Sequence, residues 1–202
     1  MKNKTFAVIA AVVVQLVIIL GLVGYYQGIV DTGDVVYLPI EPLDPTDPFR
    51  GDYVEFRIQA ERVPVESFRI DTDLTEVRNQ YPIGTQVWVE LGPYPQDGEA
   101  YSGESGRKYS YPQRAELTKI ERGVENERKW IKGVVQGYDE SNNFGYSQYF
   151  LRVSYGIEQY FIPEGTGRTV DFRNKEAVAE VRIGEDGTPV LTQVFLDGTP
   201  WP

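Results

Sequence analysis

Carboxylates, clustered aromatic rings and one arginine–glycine–aspartate turn are the groups in this chain whose type and spacing could do chemistry. The 202 residues include no histidine and no cysteine. That excludes Ser-His-Asp and Cys-His catalysis, imidazole-bound zinc, a proximal haem ligand and a histidine pH switch. Carboxylate, lysine, tyrosine or Ser-Lys chemistry and oxygen-liganded cations remain. The densest cluster runs from Tyr138 to Phe161, with eight aromatic residues accompanied by Glu158 and Glu164. Exposed rings beside carboxylates suit a glycan platform, and two carboxylates about 5 Å or about 6.5–9.5 Å apart permit glycoside hydrolysis. Strand aromatics are more often cross-strand core pairs, which is the competing expectation.

Other signatures fail on spacing. Asp139-x-Ser141-x-Asn143 begins like a calcium loop, but Phe144 and Phe150 stand where glycine and the closing glutamate belong, so a polar hairpin connection is expected over Asp139–Gly145. Asp71-x-Asp73 reads as a solvated loop pair. Ser105 lies in Gly-Glu-Ser-Gly-Arg, without the spacing of a nucleophile elbow. The sequence predicts no catalytic set, no metal site and no cofactor.

The most distinctive segment is Pro39–Arg57, where prolines 39, 42, 45 and 48 hold an extended path and Gly51-Asp52 turns the chain into a strand starting at Tyr53. Prolines at this density argue against a central strand. Arg50, Gly51, Asp52 and Tyr53 are the candidate interaction residues here. Phe49–Phe56 resembles the motif of the bacterial GDYXXLXY family: Gly51, Asp52 and Tyr53 match, while Phe56 stands for the leucine and Ile58 for the second tyrosine. Residues 155–165 (YGIEQYFIPEG) resemble that family's second block, adding Gly156, Glu158, Tyr160, Glu164 and Gly165 as candidates. The resemblance spans nearly the whole chain and implies a membrane-anchored bacterial protein with no established activity. A fainter likeness runs to type I signal peptidases through Pro45-Thr46 and Gly51-Asp52-Tyr53-Val54. There Pro42 stands near the nucleophilic serine's place, and proline supplies no hydroxyl.

What would carry these residues follows from hydropathy and turn formers. Phe6–Tyr26 holds one polar side chain, Gln15. At about 1.5 Å per residue it reaches roughly the 30 Å of a hydrocarbon core. Lys2 and Lys4 precede it, and Asp31 and Asp34 follow. The positive-inside bias therefore keeps residues 1–5 in the cytoplasm and puts 27–202 outside, and the family resemblance implies that the membrane is a bacterial cytoplasmic one. A cleaved signal peptide is the alternative, although its apolar core would be shorter and its cleavage site small-x-small.

From residue 34 onward, runs of Val, Ile, Tyr, Phe and Thr alternate with Gly, Pro, Asn and Asp. They predict about nine strands in a mainly β, antiparallel barrel or sandwich. The expected strands are Val35–Ile40, Tyr53–Gln59, Gln86–Leu91, Ala115–Ile120, Lys129–Gln136, Tyr149–Ser154, Gln159–Ile162, Ala177–Ile183 and Val190–Leu196. A helical turn is expected at Asp73–Arg78. The repeated Asp-Gly-Thr-Pro at 186–189 and 197–200 reads as turn chemistry bracketing one strand. The net charge of −10 disfavours nucleic acid. A local band from Arg107 to Lys132, eight basic residues against four glutamates, could face an acidic surface. The expectation is a non-enzymatic partner of another membrane protein, with cell-wall glycan binding or cleavage as the alternative.

Overall fold

The computed structural model describes residues 2–42, 53–65, 74–92, 108–117, 129–143, 146–161 and 175–201. Its first element is the helix α1 (Lys2–Thr32). Within it the stretch Phe6–Thr32 is long and apolar enough to cross a membrane, and none of its most apolar window is buried. Leu20 and Val17 are as open to the surroundings as the other apolar residues of the stretch. Apolar side chains exposed all round a helix suit lipid rather than water, so the element fits a membrane anchor. It ends where Gly33 donates its amide to the Ile29 carbonyl, 2.8 Å. A Cβ at Gly33 would lie 2.5 Å from that carbonyl and 3.0 Å from the Ile183 carbonyl, so only glycine passes between helix and sheet.

The rest of the described chain is mainly β, with one further short helix. Among the described residues eleven strands follow α1: β1 (Asp34–Pro42), β2 (Tyr53–Ile58), β3 (Arg62–Pro64), β4 (Gln86–Gly92), β5 (Tyr111–Glu116), β6 (Lys129–Asn143), β7 (Tyr146–Ser154), β8 (Gln159–Phe161), β9 (Ala177–Ile183), β10 (Pro189–Leu196) and β11 (Thr199–Trp201). The helix α2 (Leu74–Gln80) sits one residue from the expected turn and buries Val77. One sheet has the order β11-β10-β9-β1-β2-β8 and the other β3-β7-β6-β4-β5. All the pairings between named strands are antiparallel.

Both sheets curl toward closure. In the first, Tyr160 of edge strand β8 meets Trp201 of the opposite edge strand β11, ring centroids 6.1 Å apart. In the second, edge strands β3 and β5 approach each other. The result is a half-barrel or sandwich whose shared core includes Leu38, Phe56, Ile58, Leu91, Ile131 and Leu151. Alternation supplies that core: in β4, Val87, Val89 and Leu91 turn inward while Gln86, Trp88 and Gly92 are more exposed. Each such side chain contributes about 1.5–3 kcal/mol on burial. The short edge strands β3, β5 and β11 carry Pro64, Pro112 and Pro200, which blunts further pairing there.

Several expectations are corrected. Asp139–Asn143 is not a loop: it continues β6 and pairs with β7 from Asp139↔Phe150 to Asn143↔Tyr146. A hairpin ladder outweighs the weak strand propensity of Asp, Ser and Asn. The strand expected at Ala115–Ile120 begins earlier, at Tyr111, and is described to Glu116; residues 118–120 lie outside the described residues. Pro39 and Pro42 do lie in an interior strand, since β1 sits between β9 and β2. Asp34–Pro39 pairs with β9 and Ile40–Pro42 with β2, so the named ladders never flank the same residue of β1 on both sides. Both Asp-Gly-Thr-Pro copies make hairpin turns, with Gly187 at φ 88°, Asp197 at 47° and Gly198 at 76°. The loop reading of Pro93–Gly106 lies outside the described residues.

Candidate functional site

The two distinctive sequence blocks, separated by about a hundred residues, come together. Strand β2 begins at Tyr53 and pairs antiparallel with β8 through Tyr53↔Phe161, Val54↔Tyr160 and Glu55↔Gln159. The Phe56 amide then donates to the Glu158 carbonyl at 2.9 Å. The Tyr160 ring packs tilted against Phe56, centroids 6.3 Å apart, as well as against Trp201. Tyr53 therefore opens the strand that the second block clamps.

The clamp is built from the tetrapeptide Tyr155-Gly156-Ile157-Glu158. Gly156 takes φ 77°, a left-handed conformation that a Cβ disfavours. The turn brings the Glu158 carboxylate back onto its own backbone, where Oε1 accepts from the Tyr155 amide and from the Gly156 amide, the latter at 3.1 Å. Tyr155 is buried, and its hydroxyl donates to the Ala60 carbonyl at 2.6 Å. Its ring rests on Gly133, where a Cβ would meet Val153 Cγ1 at 2.3 Å and Tyr155 Cδ1 at 3.0 Å. Beside it, Glu61 Oε1 accepts from the Ile58 amide at 3.1 Å.

These neighbours set the protonation behaviour. Burial raises the Glu61 carboxyl above its usual value, and Glu158 adds to the rise. The Ile58 amide, Arg57 and Arg152 oppose it. Burial pushes the Tyr155 phenol well up, aided by Glu61 and Glu158. The arrangement is a pair of carboxylates and a neutral phenol whose hydrogen-bonding groups are engaged by backbone. In chemical terms it braces a junction.

The sequence candidates divide accordingly. Gly156, Glu158 and Tyr160 are brought together at the junction, and Tyr53 joins them through its backbone. Arg50, Gly51, Asp52, Glu164 and Gly165 lie outside the described residues. Of the expected aromatic platform, Tyr155 is buried and Tyr138, Tyr149 and Tyr160 pack against the core, so these four are not a set of exposed rings; Phe144 and the side chains of Tyr146 and Phe161 lie outside the described residues. Sequence reasoning missed Glu61, Ala60 and Gly133, which no local pattern links to residue 155. Among the described residues no group of three or more His, Cys, Asp or Glu could hold a metal ion.

A second polar cluster ties α1 to the β domain. Tyr25 of α1 donates its hydroxyl to Asp186 Oδ2 at 3.1 Å and lies 3.0 Å from Thr188 Oγ1. Lys132 Nζ reaches the same carboxylate oxygen at 2.8 Å. Trp88 Nε1 donates to the Asp186 carbonyl at 3.4 Å. Partial burial would raise the Asp186 carboxyl, but hydrogen bonds from Lys132, Thr188 and Tyr25 outweigh it and hold the group below its usual range.

The family model described as GDYXXLXY protein matches residues 15–194, which takes in most of α1, the junction and the hairpin bearing Asp186. No curated protein and no solved structure matches the chain.

Proposed function

The chain belongs to the GDYXXLXY family, and from that premise we propose that it is a single-pass membrane protein whose β domain, outside the bacterial cytoplasmic membrane, serves as a non-catalytic partner of another membrane protein. The observation that carries this reading is the junction itself. Two side chains of the second family block bond to backbone: the Tyr155 hydroxyl to Ala60 and Glu158 Oε1 to its own loop, while the Glu158 carbonyl accepts from Phe56. Such a block holds the strand that follows Gly51-Asp52 in place, as a scaffold for a recognition segment would. The apolar helix in front supplies the anchor.

The position of that strand supports contact well above the lipid. From Asp34, just past the helix, β1 runs to Pro42, which pairs with Phe56. Eight residue steps at about 3.3 Å carry the chain roughly 26 Å along the strand. Tyr53 lies beyond that level, so a partner touching it needs a substantial part outside the bilayer.

The test is purification of tagged full-length protein from its own membranes in mild detergent, with Asp52→Ala and Tyr53→Ala compared. A stoichiometric membrane protein that co-purifies with the wild type and is lost from folded variants supports the reading. Turnover of a substrate that vanishes on replacing one carboxylate would overturn it.

A further inference from the structure

The cluster around Asp186 also fixes how deep the protein sits. The β9–β10 hairpin does not stop where β1 begins. Asp34 pairs with Ile183, and the hairpin continues past that row alongside the helix. A Cβ at Gly184 would lie 3.1 Å from Ile29 Cγ1. One helical turn lower, Asp186 and Thr188 reach Tyr25. The last two turns of α1 are thus sheathed on one side by a turn whose Asp186 carboxylate is paired with the Lys132 ammonium of β6.

A Lys–Asp pair is costly in hydrocarbon, so the apolar layer must end before Tyr25. Helix length is compatible with that limit. From Phe6 to Gly24 there are 19 residues, which at 1.5 Å each span about 28 Å, close to the ~30 Å of a hydrocarbon core. The two constraints agree.

We propose that the rim formed by Trp88, Lys132 and the Glu185–Thr188 turn rests in the phospholipid headgroup layer, as a second membrane contact continuous with the anchor. The proposal rests on the membrane-anchor reading above. Its groups suit that layer: Trp88 and Tyr25 combine an apolar ring with a polar tip, and the Lys132 ammonium lies 5.7 Å from the Trp88 ring centroid. Lys132 is paired with Asp186 and Lys129 with Asp34. The rim therefore matches zwitterionic headgroups rather than drawing on anionic lipid. The domain would stand directly on the bilayer, without a stalk.

Native tryptophans report the depth. Trp201 faces Val194, Val194 faces Ala179 and Ala179 faces Leu38, four residue steps beyond Asp34. Trp88 lies near the level of Tyr25, nine helical residues on the other side of Asp34. At the rises of strand and helix the two indoles differ by about 26 Å in height. Full-length protein carrying Trp130→Phe with either Trp201→Phe or Trp88→Phe is placed in phosphatidylcholine nanodiscs with a nitroxide on the headgroup or at the acyl-chain end. Most Trp88 emission should be lost to the headgroup nitroxide and less to the chain-end one. Trp201 should be quenched by neither, and phosphatidylglycerol or added salt should leave the pattern unchanged.

Unquenched Trp88 in disc-bound protein overturns the seating and leaves the anchor intact. Protein that does not enter the discs overturns the anchor reading and the seating together. Should a tryptophan variant unfold, the same comparison is made on Glu185→Cys bearing an environment-sensitive dye, which labels one site because the chain has no other cysteine. A dye spectrum matching that in water would then overturn the proposal.

Discussion

Replacing Glu158 tests whether the second family block is a brace. Its carboxylate holds two backbone amides, of Tyr155 and Gly156. A hydrogen bond to a charged group contributes about 1.5–3 kcal/mol when shielded. The Tyr155 amide is part-buried and keeps most of that, whereas the Gly156 amide is exposed and regains water on mutation. Glu158→Ala should therefore cost about 2–3 kcal/mol. Glu158→Gln keeps an acceptor oxygen without the charge, and charge-assisted bonds are roughly twice as strong as neutral ones, so it should cost about half as much. The backbone bond from Phe56 to the Glu158 carbonyl survives both changes, which limits the damage to the turn. The assay is equilibrium urea unfolding of full-length protein in detergent, followed by tryptophan fluorescence. With a slope of about 2–3 kcal/mol per molar, Glu158→Ala should lower the midpoint by about 1 M. A midpoint unchanged within error, or a glutamine variant as damaged as the alanine one, would refute the brace.

The same assay separates two glycines. Gly133→Ala drives a methyl into Val153 and the Tyr155 ring and should cost about 3 kcal/mol or more, at the upper end for overpacking. Gly156→Ala meets open space but keeps its positive φ, so about 1–2 kcal/mol of strain is expected; equal costs would contradict the packing. Glu61 gives a pH dependence. Its folded-state pKa is raised, so the folded form binds the proton more tightly than the unfolded one. That contribution is full below the unfolded value of about 4.5 and is lost as pH rises through the raised folded value. Glu61→Gln, which can still accept from Ile58, should match wild type in acid and be at least as stable at pH 7. A variant clearly less stable at pH 7 would reverse the assignment.

Much of the architecture is written in local patterns. The apolar run gives α1, alternation gives β4 and β9, and each Asp-Gly-Thr-Pro gives a hairpin turn. The misses share a physical cause, because periodicity shows a face without showing its partner. Asp139–Asn143 looks like a turn until Tyr146–Phe150 is known to lie opposite, and three-residue strands such as β3 and β11 are too short to show a period. The contacts that define both clusters cross long separations, from Tyr155 to Ala60 and from Tyr25 to Asp186. Tyr25 is recognisable as an interfacial ring and Asp186 as a turn former, but nothing local joins them. Gly156, Glu158 and Tyr160 were legible as a block, and their bracing role emerges once Phe56 and Ala60 stand beside them.

The claim on which the functional reading depends is that α1 stays in the membrane with the β domain outside. Because the chain has no cysteine, single thiols report sidedness without background. Ile83→Cys places one on an exposed residue of the β domain, and Asn3→Cys places one ahead of the apolar run. In intact cells a membrane-impermeant maleimide should label Ile83→Cys and spare Asn3→Cys, with both proteins in the membrane fraction. Labelling of Ile83→Cys only after lysis, or recovery of the β domain as a soluble product lacking the apolar run, would contradict the account.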